Sequence, residues 1–88
     1  MSEKNPSHIS LSSSEKLVLF DNLGTMLTAG IPLPEALASF ASETQGNLRT
    51  VLEIIKKDID EGKTVGSSFA RLPLAFDPVV VSLIRAAE

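Results

Sequence analysis

Apolar residues recur along most of this 88-residue chain at the three- and four-residue spacing of helices that bury one side. Ser14 is placed to cap a first helix over residues 15–29, with a face traced by Leu17, Phe20, Gly24, Leu27 and Thr28. Gly30 stands where a left-handed C-terminal cap belongs. Pro32 follows where a fixed proline φ can open the next helix, so Gly30-Ile31-Pro32 predicts a tight corner. In the second segment Leu33, Ala36, Leu37, Phe40 and Ala41 fill one face, with Glu35, Ser39 and Glu43 on the other.

Gln45-Gly46-Asn47 breaks that pattern, and Asn47 can cap a third helix with the stripe Leu48, Val51, Leu52, Ile55 and Ile59. Gly62 ends it. Thr64 can cap a short fourth helix carrying Val65, Phe69 and Leu72 before Pro73 stops it. Asp77-Pro78 reads as a cap and first-turn proline, opening a fifth helix through Val79, Val80, Leu83, Ile84 and Ala87. The three consecutive valines also suit a strand, but the continued helical period through Leu83, Ile84 and Ala87 favours a helix. Short connections make consecutive helices antiparallel neighbours, so the expected fold is all-α, an up-and-down bundle of about five helices. Residues 1–13, polar and rich in serine, are expected to form a flexible tail, with the helical domain over residues 14–88.

Composition narrows the function. A chain of 88 residues supports one core, and 43% apolar with 22% charged residues is the balance of a folded domain. The absence of cysteine removes disulfides and thiolate metal sites, leaving packing as the source of stability. A net charge of −3 argues against nucleic acid as a partner. No apolar run reaches the roughly 20 residues of a membrane span, and the N-terminus lacks a signal-peptide core.

Catalytic chemistry finds little to work with. His8 is the only histidine and lies in the polar tail without a second ligand or a carboxylate cluster, which speaks against metal binding and serine-hydrolase catalysis. Gly62-Lys63-Thr64 looks like part of a phosphate loop, but Lys57 occupies the required upstream glycine and a helix precedes it; a helix end at Gly62 and a cap at Thr64 explain it better. Asp58, Asp60 and Glu61 interleave with Lys56, Lys57 and Lys63 as a mixed, solvated face without the spacing of a calcium loop. A helix-turn-helix over residues 33–59 would meet phosphate with little attraction, because its third helix balances acids against bases. No catalytic, cofactor or metal residue is expected, leaving binding, scaffolding or force transmission. The polar faces of the second and third helices, with Glu35, Glu43, Arg49, Glu53 and Lys57, are the expected partner surface.

The most specific motif is Phe-Asp-Asn-Leu-Gly-Thr-Met-Leu-Thr-Ala-Gly-Ile-Pro-Leu-Pro-Glu-Ala-Leu over residues 20–37, in which one helix ends at Ala-Gly-Ile-Pro-Leu and another begins. An acidic helix end, a glycine and a serine-containing helix follow over residues 58–69, then Leu-Pro, Phe-Asp-Pro and a terminal Arg-Ala-Ala-Glu over residues 72–88. In this order the motifs resemble the type II secretion system protein F domain, found in inner-membrane platform proteins of secretion, type IV pilus and competence machines. Two departures stand out: Ala87 replaces the family's usual glycine, and Glu88 comes before the helix that completes the family's six-helix bundle.

The resemblance implies a C-terminally truncated N-terminal copy of two cytoplasmic domains, in a full-length protein embedded in the bacterial inner membrane. It implies a non-catalytic role at the cytoplasmic face: binding the hexameric assembly ATPase and other platform subunits. Acidic residues near the position of Glu88 accompany calcium in some members; one carboxylate does not imply a metal here. Two alternatives stay open: a self-associating structural domain, forming a homodimer through the apolar strip that the absent last helix would leave exposed, and a small DNA-binding regulator.

Overall fold

The computed structural model describes residues 8–87, which form five helices in chain order: α1 (Ser13–Thr28), α2 (Leu33–Ser42), α3 (Gly46–Asp60), α4 (Val65–Ala70) and α5 (Pro78–Ala87). Among these residues there is no strand, and the three valines lie in α5. Consecutive helices pack in series: α1 on α2, α2 on α3, α3 on α4 and α4 on α5.

Local chemistry sets the boundaries. The cap of α1 is Ser12, two residues before the expected Ser14, because Glu15 completes a reciprocal box with it. Ser12 Oγ accepts from the Glu15 N–H at 3.1 Å, and Glu15 Oε1 accepts from the Ser12 N–H at 2.8 Å. The helix ends at Gly30 with φ 88°, where the Ile31 N–H donates back to the Met26 carbonyl and the Gly30 N–H to that of Leu27. The same double bond ends α3, where Gly62 has φ 90° and the Lys63 and Gly62 N–H groups reach the carbonyls of Asp58 and Ile59. Thr64 Oγ1 caps α4 by accepting from the Ser67 N–H, and Asp77 Oδ1 accepts from the Val79 N–H above Pro78. Asn47 does not cap α3; its side-chain amide donates to the Ser10 carbonyl at 3.1 Å instead.

One core runs through all five helices: Leu19 and Leu23 of α1, Leu37 and Phe40 of α2, Val51, Leu52 and Ile55 of α3, Phe69 of α4 and Val81 of α5. Leu72, Ala75 and Phe76 close it from the connection between α4 and α5. The Phe76 ring stacks on Phe69 with centroids 3.8 Å apart and meets Phe20 edge-on at 5.9 Å, tying α1 to the α4–α5 half.

Three expectations are corrected. The stretch expected to be a flexible tail contributes buried Ile9 and Leu11 to the core, where their apolar surface leaves water and the Asn47 amide holds the Ser10 carbonyl between them; residues 1–7 lie outside the described residues. The face of α1 is reversed: Leu19 and Leu23 are buried, with Met26 partly so, while Leu17 is 72% and Leu27 46% exposed. Residues 19, 23 and 26 have helical spacing too, so α1 carries two apolar stripes, and packing rather than period chooses between them. In α5, Val81 points inward with Val80 and Ile84 flanking it, leaving Val79 and Leu83 exposed at 65% and 66%.

Candidate interaction site

The charged surface expected to meet a partner lies on α2 and α3. Burial of Ala36, Leu37, Phe40 and Ala41 turns Glu35 outward in the first turn of α2 and Glu43 outward at its C-terminal cap. Burial of Leu48, Val51, Leu52 and Ile55 turns Arg49, Glu53 and Lys57 outward on α3. The structure joins two of the five: Arg49 Nε lies 3.5 Å from Glu53 Oε2, one helical turn on. Among the described residues Glu35, Glu43 and Lys57 make no ion pair. An exposed pair at this spacing stabilises the helix by about 0.3–0.5 kcal/mol, so the fold has little use for these charges.

A second surface includes Leu17, Phe20 and Leu27, which periodicity places on the inner face of α1. Leu17, Val18, Phe20 and Leu27 of α1, with Ile31 beyond it, are exposed. A shallow depression lined by Phe20, Asp21, Gly24, Thr25 and Thr28 interrupts them, and a side chain added at Gly24 would meet nothing within 4 Å. The legible signal was the presence of apolar residues on both sides of α1, a pattern a helix needs only when both sides are covered or one serves a partner.

The polar group that sequence reasoning misplaced is Asp58. It was read as part of a solvated face, yet its side chain is 3% exposed, on the row formed by Val51 and Ile55. Arg71 Nη1 and Lys63 Nζ both reach Asp58 Oδ1, the lysine at 3.4 Å. Burial alone would raise its pKa. The Ser68 hydroxyl beside it and the positive charges of Arg71 and Lys63 outweigh burial and hold the carboxyl below its ordinary value. Neither Asp58 Oδ2 nor the buried Ser68 Oγ has a partner of good hydrogen-bond geometry. Asp60 and Glu61 instead pair outward with Lys56 and Lys63.

His8 is exposed, and Gly62 and Thr64 are engaged as helix end and helix cap. Among the described residues no three His, Cys, Asp or Glu side chains gather to hold a metal, and no helix is long and apolar enough to cross a membrane. Glu88 lies outside the described residues.

Known proteins resemble this chain at modest identity. Type II secretion system protein F of Vibrio cholerae is 28% identical over 79 residues, covering 89% of the chain and 20% of that protein. Protein F of Aeromonas hydrophila is 28% identical over 78 residues, covering 88% of the chain and 20% of that protein. Type IV pilus assembly protein PilC of Myxococcus xanthus is 33% identical over 73 residues, covering 82% of the chain and 18% of that protein. The chain thus spans about a fifth of the length of these relatives. No solved structure matches it. Residues 19–88, from the first buried leucine of α1 through α5, match the family described as type II secretion system (T2SS), protein F, and the chain belongs to that family.

Proposed function

We propose that this chain is the N-terminal cytoplasmic domain of an inner-membrane platform protein serving type II secretion or type IV pilus assembly, and that it binds the assembly ATPase and other platform subunits without catalysing a reaction. The observation that carries the reading is the family match over residues 19–88, held in common with relatives named for both machines. The α2–α3 surface supports it: five outward charges with little role in stability are available to a protein partner. The test is calorimetric titration of the chain with the N-terminal region of the cognate assembly ATPase. Binding that weakens at least about tenfold in Glu35→Lys and Arg49→Glu supports this surface. Binding unchanged by both reversals removes the surface assignment, and no binding at all removes the ATPase from the proposal.

A second reading, self-association, is favoured by exposed Leu17, Phe20 and Leu27 on α1 and exposed Val79 and Leu83 on α5. Sedimentation equilibrium decides it: a dimer that Leu17→Glu or Leu83→Glu converts to monomer supports it, and a monomer at high concentration ends it.

A further inference from the structure

The five helices share a core but are not equally tied to it. The α5 helix packs chiefly on α4, and α4, only six residues long, packs on the end of α3. Between α3 and α4 the chain turns at Gly62, held left-handed at φ 90°. Both cations that reach Asp58 Oδ1 come from beyond that turn, Lys63 from the connector and Arg71 from the residue after α4. Ser68, the hydroxyl beside the same carboxylate, belongs to α4 itself. Among the described residues, the groups that reach the Asp58 carboxylate thus follow Gly62 in the chain, Arg71 and Ser68 from α4 and its end, and Lys63 from the connector, whose own N–H stays bonded to the Asp58 carbonyl; Glu61 draws on Lys63 from outside at 3.3 Å.

We infer that α4 and α5 form a flap hinged at Gly62, and that the Asp58 carboxylate, gripped by Arg71 and Lys63, is the latch that closes it. Closing is incompletely rewarded. Asp58 Oδ2 and Ser68 Oγ are buried beside each other without a partner of good hydrogen-bond geometry, and a polar contact so poorly aligned offsets less of the cost of burial than a well-formed bond. Opening gives both atoms water, while Lys63 and Arg71, already 44% and 43% exposed, lose little. Against this stand Phe69, Leu72, Ala75, Phe76 and Val81, which opening would separate from the core formed by α1–α3, together with the edge-on contact of Phe76 with Phe20. The latch thus sits nearer balance than a fully satisfied one, and its release would uncover an aromatic surface while leaving α2 and α3 intact.

Native-state hydrogen exchange on the intact chain at neutral pH, in low urea, tests this. Amides of α4 and α5 should exchange through one shared opening, protected at least about tenfold less than those of α2 and α3. Asp58→Asn should lower protection across α4–α5 by a further factor of about ten, while moving α2–α3 by less than about twofold. Arg71→Gln, which leaves the carboxylate in place, should move the same amides in the same direction. A single opening for all helices in the wild-type chain would overturn the flap. So would protection that declines gradually toward the chain end, the mark of fraying. Equal loss in all helices, or no loss, in both variants would overturn the latch; should both variants fail to fold, the wild-type exchange pattern alone decides the flap, and the loss of the fold overturns the latch as a local device.

Discussion

The reversed face of α1 makes a sharp prediction, because two leucines two residues apart exchange roles. Leu19 is fully buried and Leu17 is 72% exposed, in one helix with a good N-terminal cap. Truncation to alanine removes three carbons at either position and changes helix propensity equally. At Leu19 the transfer of those carbons is worth roughly 2.4 kcal/mol, at about 0.8 kcal/mol per buried CH₂. The cavity left in a packed core raises the cost to about 2.7–5 kcal/mol. At Leu17 little more than a quarter of the side chain is covered, so the transfer loss is about 0.7 kcal/mol, partly offset by the better helix propensity of alanine. With about 4–8 °C of Tm per kcal/mol for a domain of this size, Leu19→Ala should lower Tm by at least about 10 °C and Leu17→Ala by no more than about 5 °C. Urea titrations followed by circular dichroism give the same comparison as free energies. If Leu17→Ala proves as costly as Leu19→Ala, the face drawn from periodicity is right and the packing described here is wrong.

Further outcomes follow from the capping box, the latch and the ring stack. Ser12→Ala removes the acceptor for the Glu15 N–H and should cost about 1 kcal/mol in a urea titration, whereas Ser14→Ala, outside the box, should cost a few tenths at most. Because the folded pKa of Asp58 is lowered, its contribution is present above the unfolded carboxylate value and is lost as pH falls through the folded value. Stability measured downward from pH 5 should therefore fall more steeply for the wild-type chain than for Asp58→Asn, and parallel curves would deny the carboxylate this role. Phe76→Ala, which removes a ring 1% exposed and in contact with two others, should cost about 3–5 kcal/mol by the same titration, while Phe76→Leu should cost clearly less.

The helices themselves were legible because their punctuation is local. Gly30 and Gly62 at helix ends, Thr64 before α4 and Asp77-Pro78 before α5 each act through bonds to residues within a few positions, which a sequence displays directly. The stripes of α2 and α3 were legible because each has one apolar side. The α1 helix has two, and nothing within its sixteen residues says which one the rest of the chain will cover. Ile9 and Leu11, isolated apolar residues in a serine-rich stretch, show no period in the sequence, yet they lie in the core all the same.

Asp58 shows a different limit. Its register, three after Ile55 and seven after Val51, put it on the buried stripe, and that much was available from spacing. A carboxylate on that stripe is tolerable only if cations reach it, and one of the two is Arg71, thirteen residues away on the far side of α4. Charge composition treated Asp58 as solvated because it could not count a partner brought in by tertiary structure.

The two candidate partner surfaces differ in what they can contribute. The outward charges of α2 and α3 are solvated in the free domain, so a partner must strip water from them before pairing, and their return is orientation and association rate more than affinity. The side chains of Leu17, Leu27, Val79 and Leu83, still about half to three-quarters exposed, return about 0.7–2 kcal/mol each when fully covered, with no comparable penalty. If one partner spans both surfaces, leucine truncations should chiefly raise its dissociation rate, while charge reversals should chiefly lower its association rate and do so less at high salt. Kinetic measurement of both rates on Leu17→Ala and Arg49→Glu separates the two roles. Equal effects of both substitutions on dissociation would mean that the charges are buried in the contact rather than arrayed around it.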